Sequence, residues 1–190
     1  MRTPRIYVIY GNVGSGKTTL ATALAAHWGI YHLSSDAIRI ELTGSPNGKT
    51  KQVFKVMNER ASRFLSFMAP FIMDSTGMSK EFRALVKEVE GIIPMCIIEL
   101  KCAPHAWRAR ETIRDDRWNI GLDGVKETFV MPYRAYEDSS QVDLEPELKI
   151  NTTDLTPEEV FNRVVEYINL DEVRREEESA TIRLKSETSR

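Results

Sequence analysis

Eight residues near the start of the chain, Gly11-Asn12-Val13-Gly14-Ser15-Gly16-Lys17-Thr18, constrain its fold more than any other stretch. A glycine, four variable positions and Gly-Lys-Thr form the pattern of a phosphate-binding P-loop. The apolar run Ile6 to Tyr10 enters it and the helix-compatible run Thr19 to Ala26 leaves it, so the strand-loop-helix context is present. Glycines at 11, 14 and 16 permit positive φ and close backbone approach, which lets successive N–H groups point into one concavity suited to phosphate oxygens. The helix beginning near Gly16 adds the positive end of its dipole. Lys17 can reach the β- and γ-phosphates, and the Thr18 hydroxyl is placed to ligate Mg²⁺. Gly11 through Thr18, with Thr19 behind them, are therefore the candidate nucleotide contacts. The alternative, a chance glycine turn before a helix, does not explain the flanking strand and helix together.

The rest of the chain must supply what the phosphate loop lacks. Its 190 residues suffice for one well-buried domain and are short for two. A hydrophobic content of 42% and a formal net charge of −2 suit a water-soluble globular protein, and near-neutral charge confines any polyanion site to a local patch. Cys96 and Cys102, with neither metal spacing nor a disulfide framework, read as buried or half-buried thiols. No signal-peptide core or membrane-length apolar run occurs, so a cytoplasmic protein without membrane association is expected.

Strand and helix patterns alternate about five times. The apolar run to Tyr10 reads as a buried parallel strand, followed by a helix from about Gly16 to Trp28 that stops at Gly29. A second strand, Ile30 to Leu33, ends in Ser34-Ser35-Asp36, where either serine can cap a short helix carrying Arg39 and Glu41. Val53, Val56, Met57, Phe64, Phe67 and Met68 mark an amphipathic helix ending before Pro70. Phe71 to Met73 is a third strand ending in Asp74, Ser79 caps the next helix, and 94–101 is a fourth strand before a helix with Pro104 at its first position. A short last strand, Glu147 to Ile150, precedes a helix opened by Thr156-Pro157-Glu158-Glu159 and running to about Leu170. The expected fold is α/β: a five-stranded parallel sheet with helices on both faces, a three-layer sandwich. One domain spans 1–170 with an arginine-rich lid at about 108–135, and 171–190 is a charged tail, either a fraying helix or disordered.

Three further sites bear on the chemistry. Asp36, at the end of strand two and expected next to the phosphate loop, can accept the proton of an attacking hydroxyl; Arg39, on the same helical face, can bind the acceptor or the transferred phosphoryl. A local ion pair between the two is the structural alternative. Asp74 closes an apolar strand, a usual place for an acid that holds Mg²⁺ through water, unless it is a strand-end turn residue. Asp74-Ser75-Thr76-Gly77 also fits a GTP-driven switch, yet no Asn-Lys-x-Asp segment follows. Arg110, Arg114 and Arg117 follow strand four and could neutralise a transferring phosphoryl, or form a surface network with Glu111, Asp115 and Asp116. Lys49, Lys51, Lys55, Arg60 and Arg63 against Glu59 read as a solvated helix face or an anion-binding patch. His27, His32 and His105 have no metal spacing and are assigned no role, while Trp28 and Trp107 read as core.

Gly11 to Thr18, Ser34-Ser35-Asp36-Ala37-Ile38-Arg39, Met73-Asp74-Ser75-Thr76, and Pro104 followed by Arg110 and Arg114 occur in this order. This ordered set resembles the small P-loop kinases, within the P-loop NTPases, and most of all the polynucleotide-kinase-like group akin to zeta-toxin and gluconate kinases, over about residues 5 to 169. The resemblance implies ATP- and Mg²⁺-dependent transfer of the γ-phosphate to a hydroxyl. Asp36 would match the general base, Arg39 the acceptor-phosphate contact, Arg114 the lid arginine and Arg110 the position near the adenine; Thr18 and Asp74 would attend the metal, Asp74 alternatively orienting Arg39. The expected acceptor is the 5′-hydroxyl of a polynucleotide or a nucleotide-like molecule. A small-molecule kinase for a sugar, sugar acid or antibiotic, or an NTP-hydrolysing switch or partner-coupled ATPase, are the alternatives.

Overall fold

A computed structural model describes residues 5–44, 50–110 and 143–188. Five parallel strands form one sheet: β1 (Ile6–Gly11), β2 (Tyr31–Ser34), β3 (Phe71–Ser75), β4 (Met95–Lys101) and β5 (Leu148–Asn151). Between and after them run α1 (Lys17–Trp28), α2 (Ser35–Thr43), α3 (Thr50–Ser66), α4 (Lys80–Val89), α5 (104–110) and α6 (Pro157–Thr188).

The strand order is β2-β3-β1-β4-β5. This corrects the expectation that the end of β2 adjoins the phosphate loop: β3 lies between β1 and β2, so Asp74 is the immediate neighbour and Asp36 is one strand further out. Strand order is a matter of long-range pairing, which periodicity within each element does not encode. The sequence order places β3 after β2, yet a parallel crossover can return to either side of the growing sheet.

Alternate residues of β1 feed two cores. Ile6, Val8 and Tyr10 pack with Phe71, Met73, Val53, Phe54, Met57, Phe82 and Leu85 under α2, α3 and α4. Tyr7 and Ile9 pack with Leu20, Leu24, Ile72, Ile98, Leu100, Val164 and Ile168 under α1 and α6. Both faces of β1 are covered, which is why its sequence is an unbroken apolar run. Helix ends follow local chemistry. Gly29 closes α1 at φ 65°, Ser34 caps α2 by accepting from the Ala37 N–H, and Ser79 caps α4 by accepting from Phe82. Thr156 and Glu159 form a reciprocal capping box at α6, with Thr156 N donating to Glu159 Oε2 at 2.7 Å and Glu159 N to Thr156 Oγ1 at 3.2 Å.

The last helix continues past Leu170 to Thr188. Asp171, read in sequence as the first residue of a tail, is instead buried: it accepts from Arg5 Nη1 at 2.7 Å and from Arg175 Nε at 2.8 Å, and Arg174 also donates to it. Arg5, buried at the start of β1, also donates to Glu147 Oε2 at 2.9 Å. This network pins α6 to the edge of the sheet opposite the phosphate loop. Within the same layer burial pushes the Cys96 thiol up to about 12, as befits an inert core cysteine. Cys96 and Cys102 are both buried, and neither is in a disulfide.

Candidate active site

The C-terminal ends of the strands gather the candidate residues, the edge at which open α/β sheets bind ligands. Each glycine in the phosphate loop has its own reason. Gly11 sits at φ 148°, and a Cβ there would lie 1.8 Å from the Leu100 carbonyl oxygen, so β1 and β4 can approach only with glycine between them. A Cβ on Gly14 would meet Trp107 at 2.7 Å. Gly16, at φ 91°, is the N-cap of α1 and has no side chain to close the helix end. The first-turn N–H groups of α1 have no carbonyl partner within the helix and no acidic side chain among them, which leaves an anion site of the kind that receives phosphate.

The loop is braced from behind. The Asn12 side chain is buried and bonds twice to the Cys102 backbone, Nδ2 to the carbonyl at 2.8 Å and Oδ1 from the N–H at 3.0 Å. Asn12 therefore offers a ligand only its backbone. Its carbonyl accepts Lys17 Nζ at 2.8 Å, which folds the lysine back along the loop. Thr152, after β5, is buried and donates from Oγ1 to the Ser15 carbonyl at 3.0 Å. Arg110 donates from Nη1 to the Gly14 carbonyl at 3.0 Å and to Thr152 Oγ1 at 3.1 Å, and from Nη2 to the Thr152 carbonyl. The arginine expected near the base thus joins α5, the phosphate loop and the turn after β5.

Thr18 and Asp74 meet across α1 and β3. Thr18 Oγ1 donates to Asp74 Oδ2 at 2.6 Å, and the other carboxylate oxygen, Oδ1, lies 2.8 Å from His32 Nε2. Asp74 is paired in register with Ile9 of β1, so it projects on the α1 face of the sheet and is buried there. Arg39 bonds Asp36 rather than Asp74, so the two carboxylates serve separate clusters. Asp36 stands in the first turn of α2 with half of its side chain exposed; Arg39 is largely buried. The local ion pair anticipated as a structural alternative is thus present, and it leaves Asp36 open to a ligand. Next to this region Tyr10 donates its hydroxyl to the Leu144 carbonyl at 3.2 Å, and burial, with the charge of Glu99, pushes its pKa up.

Two residues were missed by sequence reasoning. His32 was given no role because it lacks metal-ligand spacing, yet it pairs with Asp74 from the neighbouring strand; only strand register brings the two together. Thr152 carried no signal beyond its place after a strand. Arg114, Arg117 and most of the expected lid lie outside the described residues.

A hard cation takes oxygen ligands, and Mg²⁺ keeps most of its waters while drawing on one or two protein groups and substrate phosphates. The Thr18 hydroxyl and the Asp74 carboxylate, beside an uncapped helix start, fit that requirement. Among the described residues no group of three or more His, Cys, Asp or Glu is arranged to hold a metal ion by itself. No described helix is long and apolar enough to cross a membrane.

Solved structures with the same fold include small kinases. A candidate kinase from Chloroflexus aurantiacus superposes with a TM-score of 0.63 at 18% identity, covering 89% of this chain and 98% of its own. The APS kinase of Mycobacterium tuberculosis, solved with AMPPNP and APS, gives 0.61 at 17% identity, covering 89% and 99%. A sugar kinase from Janibacter gives 0.60 at 17% identity, covering 88% and 95%. At these identities the likeness is one of fold. No curated protein matches the chain. A family model described as AAA domain matches residues 6–129, which contain the phosphate loop, the Thr18–Asp74 pair and α2, and the chain belongs to that family.

Proposed function

We propose that the protein is an ATP- and Mg²⁺-dependent phosphotransferase that moves the γ-phosphate to an acceptor hydroxyl. The observation that carries this reading is the 2.6 Å bond between Thr18 and Asp74 at the uncapped start of α1, with the half-exposed Asp36 on the next strand's helix. A switch or motor needs the first element; a half-exposed carboxylate at the sheet edge suits a base for an acceptor.

In this reading Lys17 leaves the Asn12 carbonyl for the β- and γ-phosphates, and the backbone N–H groups of 14–19 surround them. Mg²⁺, when bound, offsets the charge of the phosphate oxygens. Asp36 accepts the acceptor's hydroxyl proton as the acceptor oxygen bonds to the γ-phosphorus and the bond to the β–γ bridging oxygen breaks, releasing ADP. Arg39 holds Asp36 in place and contacts the acceptor or the transferring phosphoryl. Arg110 stands near the adenine, and Arg114, in a lid at about 108–135, supplies a countercharge. The ATP requirement and two cysteines that form no disulfide agree with a cytoplasmic setting.

The finer reading is a polynucleotide 5′-hydroxyl acceptor, as in the polynucleotide-kinase-like group. Its support is the basic surface of α3, where Lys55 and Arg63 are exposed; Arg60 is committed to Glu41 at 2.6 Å, which shortens that surface. The second reading, a small-molecule acceptor, draws on the APS and sugar kinases that share the fold. Incubation with labelled ATP-Mg²⁺ and a panel of 5′-hydroxyl DNA and RNA, nucleosides and sugars tests both. A labelled nucleic-acid end is expected. Labelled sugar or nucleoside with unlabelled ends overturns the polynucleotide reading, and ATP hydrolysis without any labelled acceptor overturns the kinase reading.

A further inference from the structure

We propose that His32 is a positioning residue that orients Asp74 so that Thr18 presents its oxygen lone pairs to Mg²⁺. The proposal rests on reading the loop as a Mg²⁺-nucleotide site.

The geometry is a chain of three side chains from three elements. Thr18 belongs to the first turn of α1, Asp74 to the end of β3 and His32 to β2. Asp74 Oδ2 accepts the Thr18 hydroxyl at 2.6 Å, and Oδ1 lies 2.8 Å from His32 Nε2. A hydroxyl has one proton and two lone pairs. Once its proton is committed to Asp74, only acceptor capacity remains for a cation. The direction of those lone pairs is set by where the carboxylate sits. A carboxylate anchored through one oxygen can swing about its χ2 torsion, which is broad for aspartate. With Nε2–H on Oδ1, both oxygens are engaged and the plane is held. Hydrogen-bond partners behind the groups that face a metal commonly fix their orientation.

The placement of His32 favours this role over a chance contact. His32 is paired in register with Ile72, two residues before Asp74, so its ring must lean along the strand to reach the carboxylate. It does so on the α1 face, where Asp74 is buried with 3% of its side chain exposed, and His32 itself is 16% exposed. A second donor on a buried carboxylate offsets the cost of leaving that oxygen unpaired. His32 touches neither the phosphate loop's backbone nor the Asp36–Arg39 pair in any hydrogen bond among the described residues, so its influence on the site runs through Asp74.

The test compares His32→Phe, which removes the donor at similar size, with His32→Gln, whose side-chain amide can reach Oδ1 in place of Nε2. AMPPNP binding to the full chain is titrated calorimetrically at graded Mg²⁺ and in EDTA, with thermal melting as the check on folding. His32→Phe is expected to raise the Mg²⁺ concentration for half-maximal binding by about 10-fold or more, leave binding in EDTA unchanged, and be largely reversed in His32→Gln. An unchanged Mg²⁺ dependence in a folded His32→Phe, against a Mg²⁺-dependent wild type, overturns the role of His32 alone. So does a His32→Gln protein as impaired as His32→Phe. A wild type whose AMPPNP binding ignores Mg²⁺ overturns the reading of the site together with the role of His32.

Discussion

Asn12 and Cys102 exchange two hydrogen bonds, at 2.8 and 3.0 Å, that bind the phosphate loop to the end of β4. The amide of Asn12 acts on the Cys102 backbone as another peptide group would, extending the β1–β4 ladder one step beyond the last register pair, Gly11 with Leu100. Replacing it by alanine leaves a buried N–H and a buried carbonyl without these partners. Asn12→Ala should cost about 2–3 kcal/mol of stability, measured by urea unfolding, and should weaken AMPPNP binding because the loop loses its brace.

The two glycines at the ends of this region separate steric from torsional cost. Gly11→Ala should be destabilised by about 3 kcal/mol or more, since its Cβ would overlap the Leu100 carbonyl and only parting β1 from β4 relieves it. Gly29→Ala, with nothing within 4 Å of its Cβ and φ at 65°, should lose about 1–2 kcal/mol. Urea midpoints of the two variants, measured side by side, check the order.

Asp36→Asn should separate chemistry from nucleotide binding. The amide cannot accept the acceptor's proton, so kcat should fall by about 10²–10⁴-fold, while AMPPNP affinity stays near the wild-type value because Asp36 lies off the phosphate loop. Steady-state kinetics with the acceptor found in the labelling panel, and calorimetry with AMPPNP, measure the two effects. Full turnover in Asp36→Asn would favour hydrolysis organised by other groups.

The Arg5–Asp171 pair sets an acid dependence. Burial pushes the Asp171 carboxyl up, but hydrogen bonds from Arg175 and Arg5 and their charges outweigh it, and the net shift is downward. A depressed folded-state value means that Asp171 adds stability above its unfolded value of about 3.9, and that this contribution is lost as pH falls through the lower folded value. Asp171→Asn should cost about 1–3 kcal/mol at pH 7, because buried Arg5 loses one of its two carboxylate partners and keeps Glu147. The gap between variant and wild type should narrow below pH 4. Urea unfolding from pH 7 to pH 3 follows both.

How much of the site was legible depended on how local each piece of chemistry is. Gly11 to Thr18 announces itself because a phosphate loop is built from consecutive backbone groups, and its residue types follow from φ and from close approach. Caps at Ser79 and Thr156, and one at Ser34 or Ser35, were equally visible, since each is a bond across three residues. The partnership of Thr18 with Asp74 could be anticipated from a strand-end acid, but its third member, His32, could not. Nothing within four residues of His32 shows that β3 will lie beside β2 with Asp74 within reach.

The amino-acid sequence by itself determined the alternation of strands and helices, the parallel sheet covered on both faces, and the phosphate loop at the head of α1. These are set by hydrophobic period, turn chemistry and backbone sterics, all of which act over a few residues. Only the tertiary structure decided that β3 separates β1 from β2, that Asp74 takes Thr18 and His32, and that Asp171 belongs to the core. Those outcomes come from which strands pair and in what register. Such choices are made by contacts between residues 40 to 166 positions apart, whose free energy appears only when the chain has closed upon itself.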